Sequence, residues 1–278
     1  MSLFAKSRFA QPLLSNRGEP GSLPLVVRAH RGHGLDHEPH HAHEHGASEA
    51  LAAEPGLNPD KIRVMAAVYA ADERLAAATS QTLKARSILG LNIMGAPGVG
   101  KTSSIIALTR SLPELKHYVV EGDIESDLDT RTLQNLGVET LQINTHGACH
   151  LDAHQIAHAI EDFADAGPGL LLIENIGNLV CPAEMVIGEQ AKILIVTATD
   201  GSDKPYKYPL AFEKADLILV NKADLLPYVD FDRDFFLAGV RALNPDVPVL
   251  FVNARQGEGF AAVANWVHDR FQTLAAAD

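Results

Sequence analysis

Residues 88–103 read ILGLNIMGAPGVGKTS. The run from Ile88 to Met94 is apolar apart from Gly90 and Asn92, and it is short. It suits a strand covered on both faces better than a helix. Gly95, Gly98 and Gly100 follow, then Lys101, Thr102 and Ser103 at the start of a helical pattern. A strand, a glycine loop and a helix start, in that order, make a phosphate cradle. The glycines let backbone N–H groups close around a phosphate chain without Cβ clashes, and the helix N-terminus adds positive potential. Lys101 is placed to reach the β and γ phosphates and the Thr102 hydroxyl to hold Mg²⁺. A chance glycine turn is the alternative, and the flanking elements argue against it. Val99 and Ser103 complete the nucleotide-contacting set drawn from this loop.

Outward from the loop, short apolar runs alternate with helical patterns: HYVVEGD (117–123), ETLQIN (139–144), LLLIENIG (170–177), KILIVTAT (192–199), ADLILVNKAD (215–224) and VPVLFVNA (247–254). Such alternation predicts an α/β fold, a three-layer P-loop domain on a mainly parallel sheet, over residues 88–278. A last helix is expected near 258–274. Before the sheet, residues 57–87 predict an amphipathic helix over about 59–86, opened by Asn58, Pro59 and Asp60. Its apolar positions Ile62, Met65, Ala66, Tyr69, Leu75 and Leu83 are expected to lie on the main domain. Residues 1–56 carry no sustained period and are expected to form a flexible tail, being unable to bury enough surface to offset their ordering entropy.

Composition narrows the function classes. The chain has 278 residues, 46% of them hydrophobic, enough for a sizeable core, and a formal net charge of −12. That balance speaks against nucleic acid or anionic lipid as a partner. No apolar run reaches the ~18 residues of a membrane span, and the first residues do not read as a signal peptide. Two cysteines make no disulfide framework, so reduced thiols and a cytoplasmic setting are expected.

The base is indicated by NKAD, residues 221–224, at the end of an expected strand. Guanine offers two donors, N1–H and the 2-amino group, to the one carboxylate of Asp224. Adenine lacks that pair and would leave the carboxylate buried and unsatisfied. Asn221 would support base and loop, Lys222 would lie along the ring, and Asn253, Ala254 and Arg255 suit a second base-contacting loop. Glu174 falls at the carboxyl end of an expected strand with Gly177 three residues on, where many GTPases carry Asp-x-x-Gly. Asp123 ends another strand, and together Asp123 and Glu174 are the acids expected around Mg²⁺ and the reacting phosphate, with a simple strand cap for Asp123 and a structural acid for Glu174 as the alternatives. No glutamine or arginine stands out to position water, so unaided GTP hydrolysis should be slow.

Both cysteines fall in loops at the carboxyl edge of the expected sheet. Cys149 and His150 sit in THGACHLDAH (145–154), and Cys181 lies four residues beyond Gly177. Read as the start of a helix, Cys149 would have its thiol pKa lowered by the dipole. Two thiolates and one imidazole suit Zn²⁺ or Ni²⁺ and are too few for a closed structural site, leaving an exchangeable position or ligands shared between subunits. On spacing alone, the bland reading of cysteine as a small hydrophobe stands beside this one. His154 and His158 share a helical face with His150, either extending the site or simply meeting solvent. The tract at 30–45 holds seven histidines, His30, His33, His37, His40, His41, His43 and His45. Mixed with acids, they are unlike an expression tag, and they suit loose metal holding that is lost as the imidazoles protonate near pH ~6–6.5.

Taken together, GAPGVGKTS, EGD, GACHLDAH, ENIGNLVCP, DKPYKYP (203–209), NKADLLPY and NARQGEG resemble the HypB family of nickel-incorporation GTPases, in order, over about residues 60 to 275. The resemblance implies a GTP-hydrolysing metallochaperone for [NiFe]-hydrogenase, with GTP, Mg²⁺ and Ni²⁺ (or Zn²⁺) as ligands. It implies a nucleotide- or metal-dependent homodimer, a HypA-like nickel/zinc partner and a hydrogenase large-subunit precursor as client. The family's metal site maps onto Cys149, His150 and Cys181, its Mg²⁺ and switch acids onto Asp123 and Glu174, and Lys204 and Lys207 are expected near nucleotide across the dimer.

One departure is the lack of any cysteine before Cys149, which removes the Cys-x-x-Cys-Gly-Cys nickel site that some members carry and leaves the histidine tract to collect nickel. The competing readings are a metal-storage protein with a vestigial nucleotide site, and a related GTPase serving urease or cobalamin enzymes.

Overall fold

All eight positions of strand β1 (Ile88–Gly95) are buried, and so are all positions of β4 (Gly169–Glu174), β5 (Ala191–Thr197) and β6 (Leu217–Asn221). Strands with no solvent face need cover above and below, which is the condition for a parallel sheet between two helix layers. The computed structural model of the chain describes residues 59–122, 132–145, 147–163 and 166–276. Within them, β2 (Lys116–Glu121), β3 (Glu139–Gln142) and β7 (Val249–Phe251) complete a seven-stranded sheet of order β3-β2-β4-β1-β5-β6-β7. Every pairing is parallel, as the sequence pattern indicates.

Alternation along β1 sorts the layers. Leu89, Leu91 and Ile93 face helix α2 (Lys101–Ser111) and the last helix, α8 (Phe260–Ala275), in one cluster with Ile105, Leu108, Phe260 and Val267. On the opposite face Ile88 joins Leu83 of α1 (Pro59–Ala85) and Ile156 of α3 (Ala153–Asp162). Farther along that face, Met94 meets Phe212 of α6 (Pro209–Glu213) and Phe236 of α7 (Arg233–Leu243). Two short helices, α4 (Cys181–Glu184) and α5 (Lys204–Lys207), lie in the loops after β4 and β5. Leu91 is fully buried, so Leu91→Ala would cost about 2–5 kcal/mol through lost transfer energy and the cavity left behind.

The strand order reverses about β1. The chain leaves β1 for β2, two places away, and β4 fills the gap between them. Such a switch point opens a crevice at the carboxyl ends of the strands. Ile93 lies opposite Glu174 in the β1–β4 register, which puts the phosphate loop beside the end of β4. Observed strands stop short of the sequence runs at this edge. Gly122 N–H already bonds Glu174 O, and after Glu174 the backbone turns away under the side chain of Asn175.

Among the described side chains of α1, burial rises towards the carboxyl end. Ala76, Thr79 and Leu83 are buried, whereas Val64 and Val68 are exposed. Arg86, just past the helix, donates to the carbonyls of Ile160 and Phe163 and so closes the end of α3. The tail at 1–56, the capping residue Asn58, the histidine tract and Asp123 all lie outside the described residues.

Candidate nucleotide site and metal centre

The phosphate loop is held from outside by its carbonyls. Gly98 O accepts from Lys222 Nζ at 2.8 Å, and Val99 O accepts from Asn221 Nδ2 at 2.8 Å. In a trans peptide the N–H points opposite to the C=O, so pinning these carbonyls outward turns the amides of Val99 and Gly100 into the cradle. Gly100 has φ 91°, and a Cβ there would stand 2.6 Å from Asn221 Nδ2, so both its conformation and its space require glycine. Gly100 leads directly into α2, which starts at Lys101 with its side chain buried. Ser104 Oγ donates to Gly100 O, fastening the first turn.

The two loops expected to read guanine are tied to that cradle. Asn221, at the end of β6, is buried, and besides Val99 O it receives Ala254 N–H on Oδ1 at 3.0 Å. Its amide is therefore spent on joining three loops. Lys222 adopts a left-handed conformation, φ 57°, that lets its side chain reach the phosphate loop. Asp224 is exposed rather than buried, at the start of a 3₁₀ turn (Ala223–Tyr228), where a base would cover it. Asn253 braces its own loop through a bridge to Glu258 and a bond from Gln256 N, while Arg255 is exposed.

At the phosphate end, Thr102 Oγ1 donates to Glu174 Oε1 at 2.8 Å. A hydroxyl and a carboxylate in contact at the edge of the cradle are two hard oxygen donors of the kind Mg²⁺ takes. Gly177 packs on the loop from the other side, where a Cβ would come within 2.8 Å of Pro97 Cγ.

The structure brings Cys149, His150 and Cys181 together, with one ligand atom from each all within 4.8 Å of one another. Cys149 Sγ lies 3.1 Å from Cys181 Sγ and 3.4 Å from His150 Nδ1. Cys149 is exposed and the other two are half-buried. One expectation is corrected: Cys149 does not start a helix. α3 begins at Ala153, capped by Asp152 in a reciprocal box with Gln155. The dipole therefore does not act on the thiol. Its pKa is raised, first by its hydrogen bond to the Cys181 sulfur. His154 and His158 are exposed, their Nε2 atoms 3.3 Å apart, and His158 pairs with Glu161. Lys207 pairs with Asp203 on its own turn, and Lys204 lies over the Tyr208 ring.

The model of the CobW/HypB/UreG nucleotide-binding domain matches residues 90–251, which include the glycine loop, the Asn221–Asp224 segment and Cys149, His150 and Cys181. A hydrogenase maturation factor HypB from Azotobacter vinelandii is 43% identical over 80% of this chain and 74% of that relative. The chain belongs to the HypB family. Among solved structures, HypB from Archaeoglobus fulgidus superposes with a TM-score of 0.69 at 34% identity, covering 73% of this chain and 99% of that one. HypB from Helicobacter pylori, solved in complex with nickel, gives a TM-score of 0.68 at 29% identity, with 73% and 95% covered.

Sequence reading of this HypB-family chain misses its buried polar frame. Asn92 in β1 bonds Asn175, and Asn92 Nδ2 reaches Glu189 at 3.4 Å. Glu189 pairs with Lys192 of β5, whose pKa burial lowers, and Lys192 Nζ donates to Ala183 O and Met185 O. A polar residue inside an apolar strand run, Asn92 in ILGLNIM or Lys192 in AKILIVT, is the available signal.

Proposed function

We propose that this chain is a GTP-hydrolysing nickel metallochaperone for maturation of [NiFe]-hydrogenase. One observation carries the reading: two thiols and an imidazole converge beside a phosphate loop, and the segment from Gly177 to Cys181 touches both. Metal binding and nucleotide state thus act on the same few residues. That a relative was solved with nickel supports Ni²⁺ as the cargo.

In this reading Val99 and Gly100 amides hold phosphate oxygens, Lys101 neutralises the β and γ phosphates, and Asp224 accepts both guanine donors. Lys222 flanks the ring, and the Asn253–Ala254–Arg255 loop closes over the base. Thr102 and Glu174 hold Mg²⁺, with Asp123 as a further acid, and when bound the ion screens charge developing on the transferred phosphoryl group. Cys149, His150 and Cys181 hold Ni²⁺, and Zn²⁺ fits the same donors.

Three donors leave a position open to a second copy of the chain. Val180, next to Cys181 in the chain, and Val186, five residues beyond it, are both about half exposed and supply apolar surface for that homodimer. The histidines from His30 to His45 collect nickel, a HypA-like partner exchanges it, and a hydrogenase large-subunit precursor receives it.

The test is a Ni²⁺ titration followed by thiolate-to-nickel absorption, which tail imidazoles do not produce. It is run with GDP and with a GTP analogue, alongside phosphate release. Wild-type protein should bind nickel with different affinities in the two states, Cys149→Ser and Cys181→Ser should lose the absorption, and Lys101→Ala should abolish phosphate release. Wild-type release no faster than that of Lys101→Ala would leave a metal-storage protein instead.

A further inference from the structure

Asn178 touches everything the proposed coupling needs. Its backbone pairs in an antiparallel bridge with Gly95, the first residue of the phosphate loop. Its Nδ2 donates to Cys149 O at 3.2 Å, the carbonyl of the peptide that joins Cys149 to His150. Its Oδ1 accepts from Val180 N–H at 2.9 Å, the amide just before Cys181. One half-buried side chain therefore grips both ligand-bearing segments while its backbone grips the cradle. The task needs a short side chain with a donor and an acceptor on separate atoms side by side, which asparagine supplies; ionised aspartate only accepts, and serine has both functions on a single oxygen.

The far end of each ligand segment is fixed elsewhere. Beyond His150, Leu151 N–H donates to Asn175 Oδ1 at 3.1 Å, and Asn175 Nδ2 donates to Asn92 Oδ1 at 3.1 Å, all buried. Beyond Cys181, Lys192 Nζ holds Ala183 O at 3.0 Å and Met185 O at 2.6 Å. Satisfied buried networks of this kind are costly to open and act as rigid mounts. Each soft ligand thus hangs between a rigid mount and Asn178. The neighbouring Gly177 lies hard against Pro97, so a shift of the phosphate loop passes to residues 177–178.

We infer that Asn178 is the positioning residue through which the state of the phosphate loop sets the separation of the Cys149 and Cys181 thiols. The inference rests on the function proposed above and names the part that performs its coupling. When the loop changes shape around its nucleotide, Asn178 moves with Gly95 and draws on Cys149 O and Val180 N. The two segments swing about their fixed ends, and the Sγ–Sγ distance, 3.1 Å here, changes.

The test compares wild type, Asn178→Ala and Asn178→Asp as full chains loaded with GDP or a GTP analogue. Two quantities are read: the alkylation rate of each cysteine in metal-free protein, resolved by mass spectrometry, and the nickel dissociation constant from thiolate absorption. Wild type should show state-to-state ratios of about fivefold or more. Asn178→Ala should bring both ratios to within about twofold of one, with one nickel still bound per site. Asn178→Asp, close in size and suited to a case where the alanine variant does not fold, still accepts from Val180 N–H but cannot donate to Cys149 O. Cys149 should then lose its nucleotide dependence and Cys181 keep it. A wild-type ratio that survives in Asn178→Ala or, at Cys149, in Asn178→Asp overturns the inference alone, as does a loss of nickel affinity equal in both states. A wild type with no ratio overturns the proposed coupling itself.

Discussion

Thr102 Oγ1 sits 2.8 Å from Glu174 Oε1, a hydrogen bond from the first turn of α2 to the carboxyl end of β4. It joins the end of the phosphate cradle to the strand that leads into the segment carrying Cys181. Glu174→Gln keeps an oxygen able to accept from Thr102 but removes the charge. Mg²⁺-dependent phosphate release should fall by about 10²-fold, the scale of losing one preorganised electrostatic group, whereas Mg²⁺-free GDP binding should change by less than about threefold. Phosphate release and GDP affinity, each measured across a Mg²⁺ titration, separate the two effects.

The exposed carboxylate of Asp224, at the start of its 3₁₀ turn, offers two acceptors of one kind. Asp224→Asn replaces them with one acceptor and one donor. Guanine then finds a single acceptor and a misplaced donor, while xanthine, which carries a carbonyl at C2 in place of the amino group, finds a match. The substitution should weaken GDP binding by about 10²-fold and improve binding of xanthosine diphosphate. Competition between the two nucleotides for a fluorescent GDP analogue reads both changes.

The sheet and the cradle are legible in the sequence because both are local. Apolar runs such as the one at 170–173 mark strands buried on both faces, and Gly95 to Thr102 carry their conformational demands in residue type. The meeting of Cys149 with Cys181 can be suspected from sequence but not located, since 32 positions separate them and the parallel crossover alone brings them together. The raised thiol pKa is hidden for a related reason. Helix-start chemistry is visible around Asp152, but not that Cys149 precedes the cap and faces a second thiol. Asn178 is inconspicuous inside ENIGNLVCP because a single asparagine after a glycine reads as a turn residue.

A pH dependence follows from His117 on β2. It is buried, its Nε2 has no hydrogen-bond partner among the described residues, and burial lowers its pKa below the ordinary 6.5. The folded chain therefore keeps this imidazole neutral where the unfolded chain takes up a proton. Its stability contribution is whole above pH ~6.5 and is lost as pH falls from there through the folded-state pKa. Melting temperature should drop between pH ~7.5 and ~5.5, and His117→Gln, which cannot titrate, should show a smaller drop over the same interval. Equal slopes for the two proteins would assign the acid sensitivity to other groups.

Gly177 and Pro97 set how closely the segment carrying Cys181 approaches the phosphate loop. A Cβ on residue 177 would lie 2.8 Å from Pro97 Cγ and 3.0 Å from both Pro97 Cα and N. Two of those three atoms are backbone, so the clash in Gly177→Ala cannot be relieved by a side-chain rotation. It must separate the two segments, and overpacking of this kind costs about 1–3 kcal/mol. GDP affinity should fall by about 5- to 150-fold if the cost is borne in the nucleotide-bound state. Pro97→Ala removes the ring carbons Cγ and Cδ, only the first of which is among the three contacts, and leaves the two 3.0 Å contacts, so the double variant should recover only part of the loss. Full recovery would mean that the ring, rather than the loop backbone, sets the approach of residue 177. Nucleotide titrations of the two single variants and the double variant close the cycle and read the coupling directly.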